Sequence, residues 1–174
     1  MATTVAPPTL TFEKFMEATA EMRPHPELVD GEIVERAMPN FTHGRLQNRV
    51  GSLADAAGLV GTTEVHCRIG RNVRLPDVSI WAQVPSEEYP STPPLATVEI
   101  LSPGERVRRI MSKSAEYEQW GVAHIWLIDT EDPALLIYRD GRFLEVDALE
   151  IPEHNLRITL ADLPWPEVKP QPHA

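Results

Sequence analysis

The chain has 174 residues, 42% of them hydrophobic, which is enough for one domain with a buried core. A net charge of −10 argues against a surface devoted to a polyanion, so any nucleic-acid contact must come from a local basic cluster. The single cysteine, Cys67, rules out an internal disulfide framework and suits a reducing cytoplasm. With no apolar leader and no run of 18 apolar residues, a soluble cytoplasmic protein without membrane contact is expected.

Residues 1–10 are small and Pro-rich and read as a disordered tail, 11–166 as one domain, and 167–174 as a loose C-terminus. Thr11 can cap a helix from Phe12 to about Ala20, which Arg23-Pro24-His25-Pro26 ends. Glu27–Val29 and Glu32–Ala37 flank Asp30-Gly31, a strong hairpin signal that makes Glu27 a strand glutamate. Asn40 or Thr42 starts the next helix, whose stripe Leu46, Val50, Leu53 and Ala57 extends back to His43. Taken alone, His43 reads as a hydrogen-bonded core histidine. Gly58 and Gly61 close that helix, and residues 59–69 hold a strand.

In residues 73–81, Val78 and Ile80 alternate with Asp77, Ser79 and Trp81, a strand with Asp77 just inside its start and Pro76 tolerated at its end. A polar, Pro-rich loop spans 83–94. Ala96 to Leu101 is a buried strand interrupted by one charge, Glu99, which shares its face with Thr97 and Leu101. A carboxylate there is costly unless paired. The helix from Glu105 to Trp120 carries the stripe Val107, Ile110, Tyr117 and Trp120, and a turn of roughly 100° per residue places Lys113 inside it. Beyond Gly121, residues 123–129 are another strand. Leu135–Tyr138 and Arg142–Val146 flank the hairpin signal Asp140-Gly141, 155–160 adds a last strand, and the turn at 162–166 docks Trp165.

Two carboxylates on neighbouring strands plus a core-facing lysine have two physical readings. The oxygens can hold a hard divalent cation while the lysine serves the reacting water. Equally, the trio can be a buried ion network that only fixes the sheet against its helix. Arg106, Arg108 and Arg109 open the lysine-bearing helix, and Arg68, Arg71 and Arg74 precede Asp77, so basic residues cluster on both sides of the trio.

Pro76-Asp77 with Glu99-Ile100-Leu101 resembles the PD-(D/E)xK nuclease motif. The ordered phrases Glu27 to Val34, the His43 helix start, Leu75-Pro76-Asp77-Val78, Val98 to Pro103, Lys113 to Tyr117 and Gly121 to Asp129 resemble the Uma-two-type restriction endonucleases over about residues 25–165. In the superfamily's usual pattern the lysine stands two residues after the glutamate, where this chain has Leu101. Similar proteins move it to the following helix, the position of Lys113. The aspartate that often precedes that lysine is missing here.

The resemblance implies an α/β (α+β) fold, a restriction-endonuclease-like central mixed sheet flanked by helices, with antiparallel hairpins. It also implies Mg²⁺- or Mn²⁺-dependent hydrolysis of DNA phosphodiester bonds by a homodimer or higher homo-oligomer. Asp77, Glu99 and the Ile100 carbonyl would hold metal and Lys113 would assist the attacking water. Glu27 would be a further acid at the site's edge, and His43 would contact phosphate or a metal-bound water. An alternative from another class keeps the fold without cleavage, as a homo-oligomeric binding or regulatory module.

Overall fold

The structure, a computed structural model, describes residues 10–101 and 107–165. Apart from Leu10, the expected tails lie outside these residues, as do Ser102, Pro103 and the expected helix start at Glu105 and Arg106. Thr11 caps α1 (Phe12–Thr19) by accepting the Lys14 N–H. The hairpin β1 (Glu27–Val29) and β2 (Glu32–Val34) turns through Asp30 and Gly31, both at positive φ, as the dipeptide demands. Asn40 caps α2 (Phe41–Ala56), its side chain accepting the His43 N–H at 2.9 Å. There follow β3 (Val60–Thr63), β4 (Cys67–Ile69), β5 (Asn72–Arg74), β6 (Val78–Trp81), β7 (Ala96–Leu101) and α3 (Val107–Trp120). The chain continues with β8 (His124–Asp129), β9 (Ala134–Arg139), β10 (Arg142–Val146), β11 (Ala148–Ile151) and β12 (Leu156–Thr159).

Among the described residues the main sheet runs β10-β9-β8-β7-β6-β3. Only β7 and β8 pair in parallel, as the α3 crossover between them requires; the other neighbours are antiparallel, giving a mixed sheet. On one face Leu46, Val50 and Ala54 of α2 join Val78, Ile80, Val98, Ile100 and Trp126, with the β11–β12 hairpin completing this core. On the other face α3 lays Ile110 against Leu101 and Leu127, and Tyr117 against Ile125. Every residue of β7 is therefore buried, which explains its nearly unbroken apolar run. A smaller sheet, β2-β1-β5-β4, carries α1 through Phe15, Leu28 and Val73.

Several local expectations are corrected. β2 stops at Val34, so residues 35–40 form an irregular segment. Residues 59–69 hold two strands, β3 and β4, in different sheets, and 73–81 likewise divides into β5 and β6, with Asp77 on the bend before β6. Gly61 does not end α2 but lies within β3, where a Cβ would come within 2.5 Å of the Gly51 carbonyl oxygen. β11 is an additional strand. Ala54 rather than Leu53 is fully buried on α2, and Val107 is 49% exposed because the α3 stripe begins at Ile110. The 160–165 turn docks Trp165, whose indole N–H donates to the Leu160 carbonyl at 2.8 Å.

Candidate active site

β6 and β7 bring the two carboxylates together. The register that pairs Val78 with Val98 runs on to set Asp77 beside Glu99 at the end of β6. Asp77 is 3% exposed and its carboxylate is fully engaged: Oδ2 accepts the Ile100 N–H at 2.8 Å, and Oδ1 faces Arg36 Nη2 at 2.5 Å and His43 Nε2 at 3.3 Å. Gln47 donates to its backbone carbonyl at 3.2 Å. Burial pushes this carboxyl up, but the hydrogen bond to His43 and the charge of Arg36 outweigh that and hold it below the usual range.

The wheel argument for Lys113 holds. Its ammonium is 5% exposed on the inner face of α3, 2.8 Å from Glu27 Oε1 and 2.9 Å from Glu99 Oε2, and donates to the Leu75 carbonyl at 3.0 Å. Three acceptors match its three N–H donors. Burial lowers its proton affinity, but Glu27 and Glu99 more than reverse this, so Lys113 stays charged.

Glu27 is fully buried and not an exposed strand residue. It accepts the Leu75 N–H at 2.9 Å and pairs with Arg74 at 3.3 Å and Arg109 at 3.7 Å. Burial would raise its carboxyl; Lys113 and Arg74 overcome this and bring it to about 2. Glu99 is the opposite case. It takes the Tyr117 O–H at 2.9 Å and shares Lys113, yet burial, with Asp77 and Glu27 nearby, pushes its carboxyl up to about 7. Lys113 is shared almost equally between Glu27 and Glu99, and burial is the larger influence on Glu99.

Arg36, His43, Asp77, Glu99, Arg109 and Lys113 line one cleft of about 30 Å³, room for a water or a small ion. All five candidate side chains thus converge, Glu27 reaching the cleft through Lys113 and Arg109. Sequence reasoning missed Arg36, which stands on no periodic element. It also read Arg74 as part of a basic cluster, whereas Arg74 is 6% exposed and bound to Glu27 and Glu116. Tyr117 was visible as core, and its position four residues after Lys113 on the same helix face is the signal that it shares Lys113's partner.

Among the described residues no group of three or more His, Cys, Asp or Glu side chains is arranged to cage a metal. The donor set nonetheless fits a small hard cation, which takes one or two carboxylates and keeps several waters. Asp77 and Glu99 offer only oxygens, the donor type such a cation takes. Extended backbone points a residue's N–H and C=O to the same strand edge, so the Ile100 carbonyl shares the edge at which its N–H meets Asp77.

No curated protein matches the chain. Among solved structures, a "putative nuclease belonging to DUF820" from Anabaena variabilis superposes with a TM-score of 0.78 at 23% identity, covering 90% of this chain and 97% of that one. It establishes the fold. A DrdV–DNA complex matches at a TM-score of 0.39 and 13% identity over 66% of this chain and 9% of that one, too low a likeness to bear on function. The model of the Uma2 family, described as "Putative restriction endonuclease", matches residues 12–164. The chain belongs to the Uma2 family.

Proposed function

We propose that the protein is a Mg²⁺- or Mn²⁺-dependent endonuclease acting on DNA phosphodiester bonds. The observation that carries this reading is Asp77 and Glu99 side by side on a solvent-reaching cleft, with the Lys113 ammonium 2.9 Å from Glu99. Asp77, Glu99 and the Ile100 carbonyl would hold the cation, which when bound supplies Lewis acidity and an acidified water.

The chain's own residues do the rest. Glu27 keeps Lys113 protonated and fixed, so the ammonium presents a preorganised positive charge to a phosphate in the cleft. Arg109, 36% exposed at the side chain, extends that field to the rim. His43, at the N-terminus of α2 and 3.3 Å from Asp77, would contact phosphate or a metal-bound water. Cutting both strands of a duplex needs two such sites, so a homodimer or higher homo-oligomer is part of the proposal.

Thermal unfolding of wild type, Asp77→Asn and Glu99→Gln with and without Mn²⁺ tests it, alongside relaxation of supercoiled plasmid. A cation bound only to the native state adds about 2.7 kcal/mol at roughly 100 times its dissociation constant. Wild type is expected to gain that stability and nick plasmid while both variants do neither. A second reading, a homo-oligomeric binding or regulatory module without cleavage, is favoured by one observation: Arg36 and Lys113 already occupy the two carboxylates. It is the conclusion if metal leaves wild type unchanged.

A further inference from the structure

Arg36 engages Asp77 Oδ1, an oxygen that a cation held by Asp77 would have to compete for. Its Nη2 is 2.5 Å from Asp77 Oδ1 and its Nη1 is 3.3 Å from Glu64 Oε1, so one guanidinium bridges two carboxylates. The two anchors differ. Asp77 is almost sealed, with 5% of its side chain exposed, whereas Glu64 is 31% exposed at the same cleft. The arginine comes from the irregular segment 35–40 between β2 and α2, and its side chain can swing without breaking a strand ladder or the Asn40 cap of α2.

Glu64 is placed at some conformational cost. It follows β3 directly and adopts φ +52, in the left-handed region that non-glycine residues seldom enter, while its N–H reaches the Asp77 carbonyl at 3.4 Å. This turn hands its carboxylate to Arg36. A second, wetter carboxylate beside a buried pair gives the arginine somewhere to go.

Building on the metal-site reading, we propose that Arg36 is a displaceable counter-ion: it neutralises Asp77 when the cleft holds no divalent cation and shifts onto Glu64 when one is held. A guanidinium left on Asp77 would repel a divalent cation a few ångströms away. Arg36 and the cation therefore compete for Asp77, and Glu64 favours the cation by accepting Arg36. A purely structural ion bridge has no such signs built into it, since removing either end would only loosen the segment.

The test is Mn²⁺ affinity by titration calorimetry on wild type, Arg36→Gln, Arg36→Lys, Glu64→Gln, the Arg36→Gln/Glu64→Gln double variant and Asp77→Asn, each checked for folding by circular dichroism. Removing the competitor is expected to tighten Mn²⁺ binding by at least about tenfold, and removing its alternative seat to weaken it severalfold. The double variant should bind like Arg36→Gln, because Glu64 matters only through Arg36. Arg36→Lys, which keeps the charge, should stay near wild type. Should Arg36→Gln fail to fold, weakened binding in Glu64→Gln beside near-wild-type binding in Arg36→Lys still supports the proposal, and unchanged binding in Glu64→Gln still overturns it.

Equal or weaker binding in Arg36→Gln, or unchanged binding in Glu64→Gln, overturns the proposal. If those variants match wild type while Asp77→Asn loses Mn²⁺, the metal site stands and only the counter-ion role falls. If wild type and every variant bind no Mn²⁺, both fall together.

Discussion

Asp77, on the bend before β6, and Glu99, on the adjoining β7, are neighbours and both nearly sealed from solvent, yet their carboxyls are driven in opposite directions. Asp77 is met by Arg36, which it shares with the partly exposed Glu64, by His43 and by a backbone N–H. Glu99 must share Lys113 with Glu27, and the shared charge does not offset its burial. Inequality of this kind between adjacent titratable groups is a feature of reactive sites.

The first expected consequence concerns Glu99→Gln. The folded protein holds the Glu99 proton more tightly than the unfolded chain, with values of about 7 against 4.5. That group's contribution is complete below about pH 4.5 and is lost as pH rises through about 7. The shift corresponds to an order-of-magnitude penalty of about 3 kcal/mol at alkaline pH. Glutamine carries no charge to bury; its one oxygen can still accept from Lys113, while its NH₂ can donate to the hydroxyl oxygen of Tyr117, whose O–H in wild type donates to Glu99 Oε1. Urea unfolding should show the variant gaining on wild type by about that amount between pH 4.5 and 8. A difference independent of pH would show that Glu99 is not raised.

Glu27→Gln should behave in reverse. Its carboxyl falls to about 2 in the folded protein, so its stabilising contribution is full above about pH 4.5 and disappears as pH drops towards 2. Removing the charge leaves Lys113 and Arg74 short of a buried counter-ion. Breaking such a pair typically costs about 3–5 kcal/mol. The loss should be measurable by urea unfolding at pH 7 and shrink markedly at pH 3.

How much of this was legible in the sequence depends on whether a residue sits on a periodic element. Asp77, Glu99 and Lys113 do or nearly do, and strand alternation with helical spacing placed all three at one locus. The β7–α3–β8 unit followed from the same patterns. Arg36 escaped because β2 ends at Val34 and nothing in local sequence fixes where the next six residues point. Arg74 was misjudged for a related reason: charge clustering in sequence says nothing of burial, and only the pairing of β1 with β5 reveals its carboxylate partner. The split of residues 59–69 and 73–81 between two sheets is a tertiary decision; apolar alternation reads the same on either side of it.

Lys113→Met separates stability from chemistry. Methionine fits the stem of the lysine but leaves the Leu75 carbonyl, Glu27 and Glu99 without their shared donor. A loss of about 3–5 kcal/mol is expected at pH 7. Because Glu99 then takes a proton more readily, the deficit should be smaller at pH 5, which chemical denaturation at the two values would show. Under the endonuclease reading the same variant should nick no plasmid even at a temperature where it is fully folded. Retained nicking would remove Lys113 from the reacting centre.

The crossing of α2 over β3 gives a prediction away from the site. A Cβ on Gly61 would lie 2.5 Å from the Gly51 carbonyl oxygen and 2.6 Å from its Cα, and backbone cannot step aside as a side chain can. A Cβ on Gly51 would meet nothing closer than the Gly61 carbonyl carbon at 4.0 Å, an ordinary contact. The crossing is also held by the Gly61 N–H, which donates to Asp55 Oδ1 at 2.9 Å, so β3 cannot easily withdraw. Gly61→Ala must therefore push helix and strand apart and should cost about 3 kcal/mol, the upper end for overpacking. Gly51→Ala, in the middle of a helix, should be neutral or stabilise by up to about 1 kcal/mol through helix propensity. In thermal melts Gly61→Ala should fall below wild type while Gly51→Ala stays level with it or rises, and equal losses in both would mean that the two backbones do not approach as closely as the structure has them.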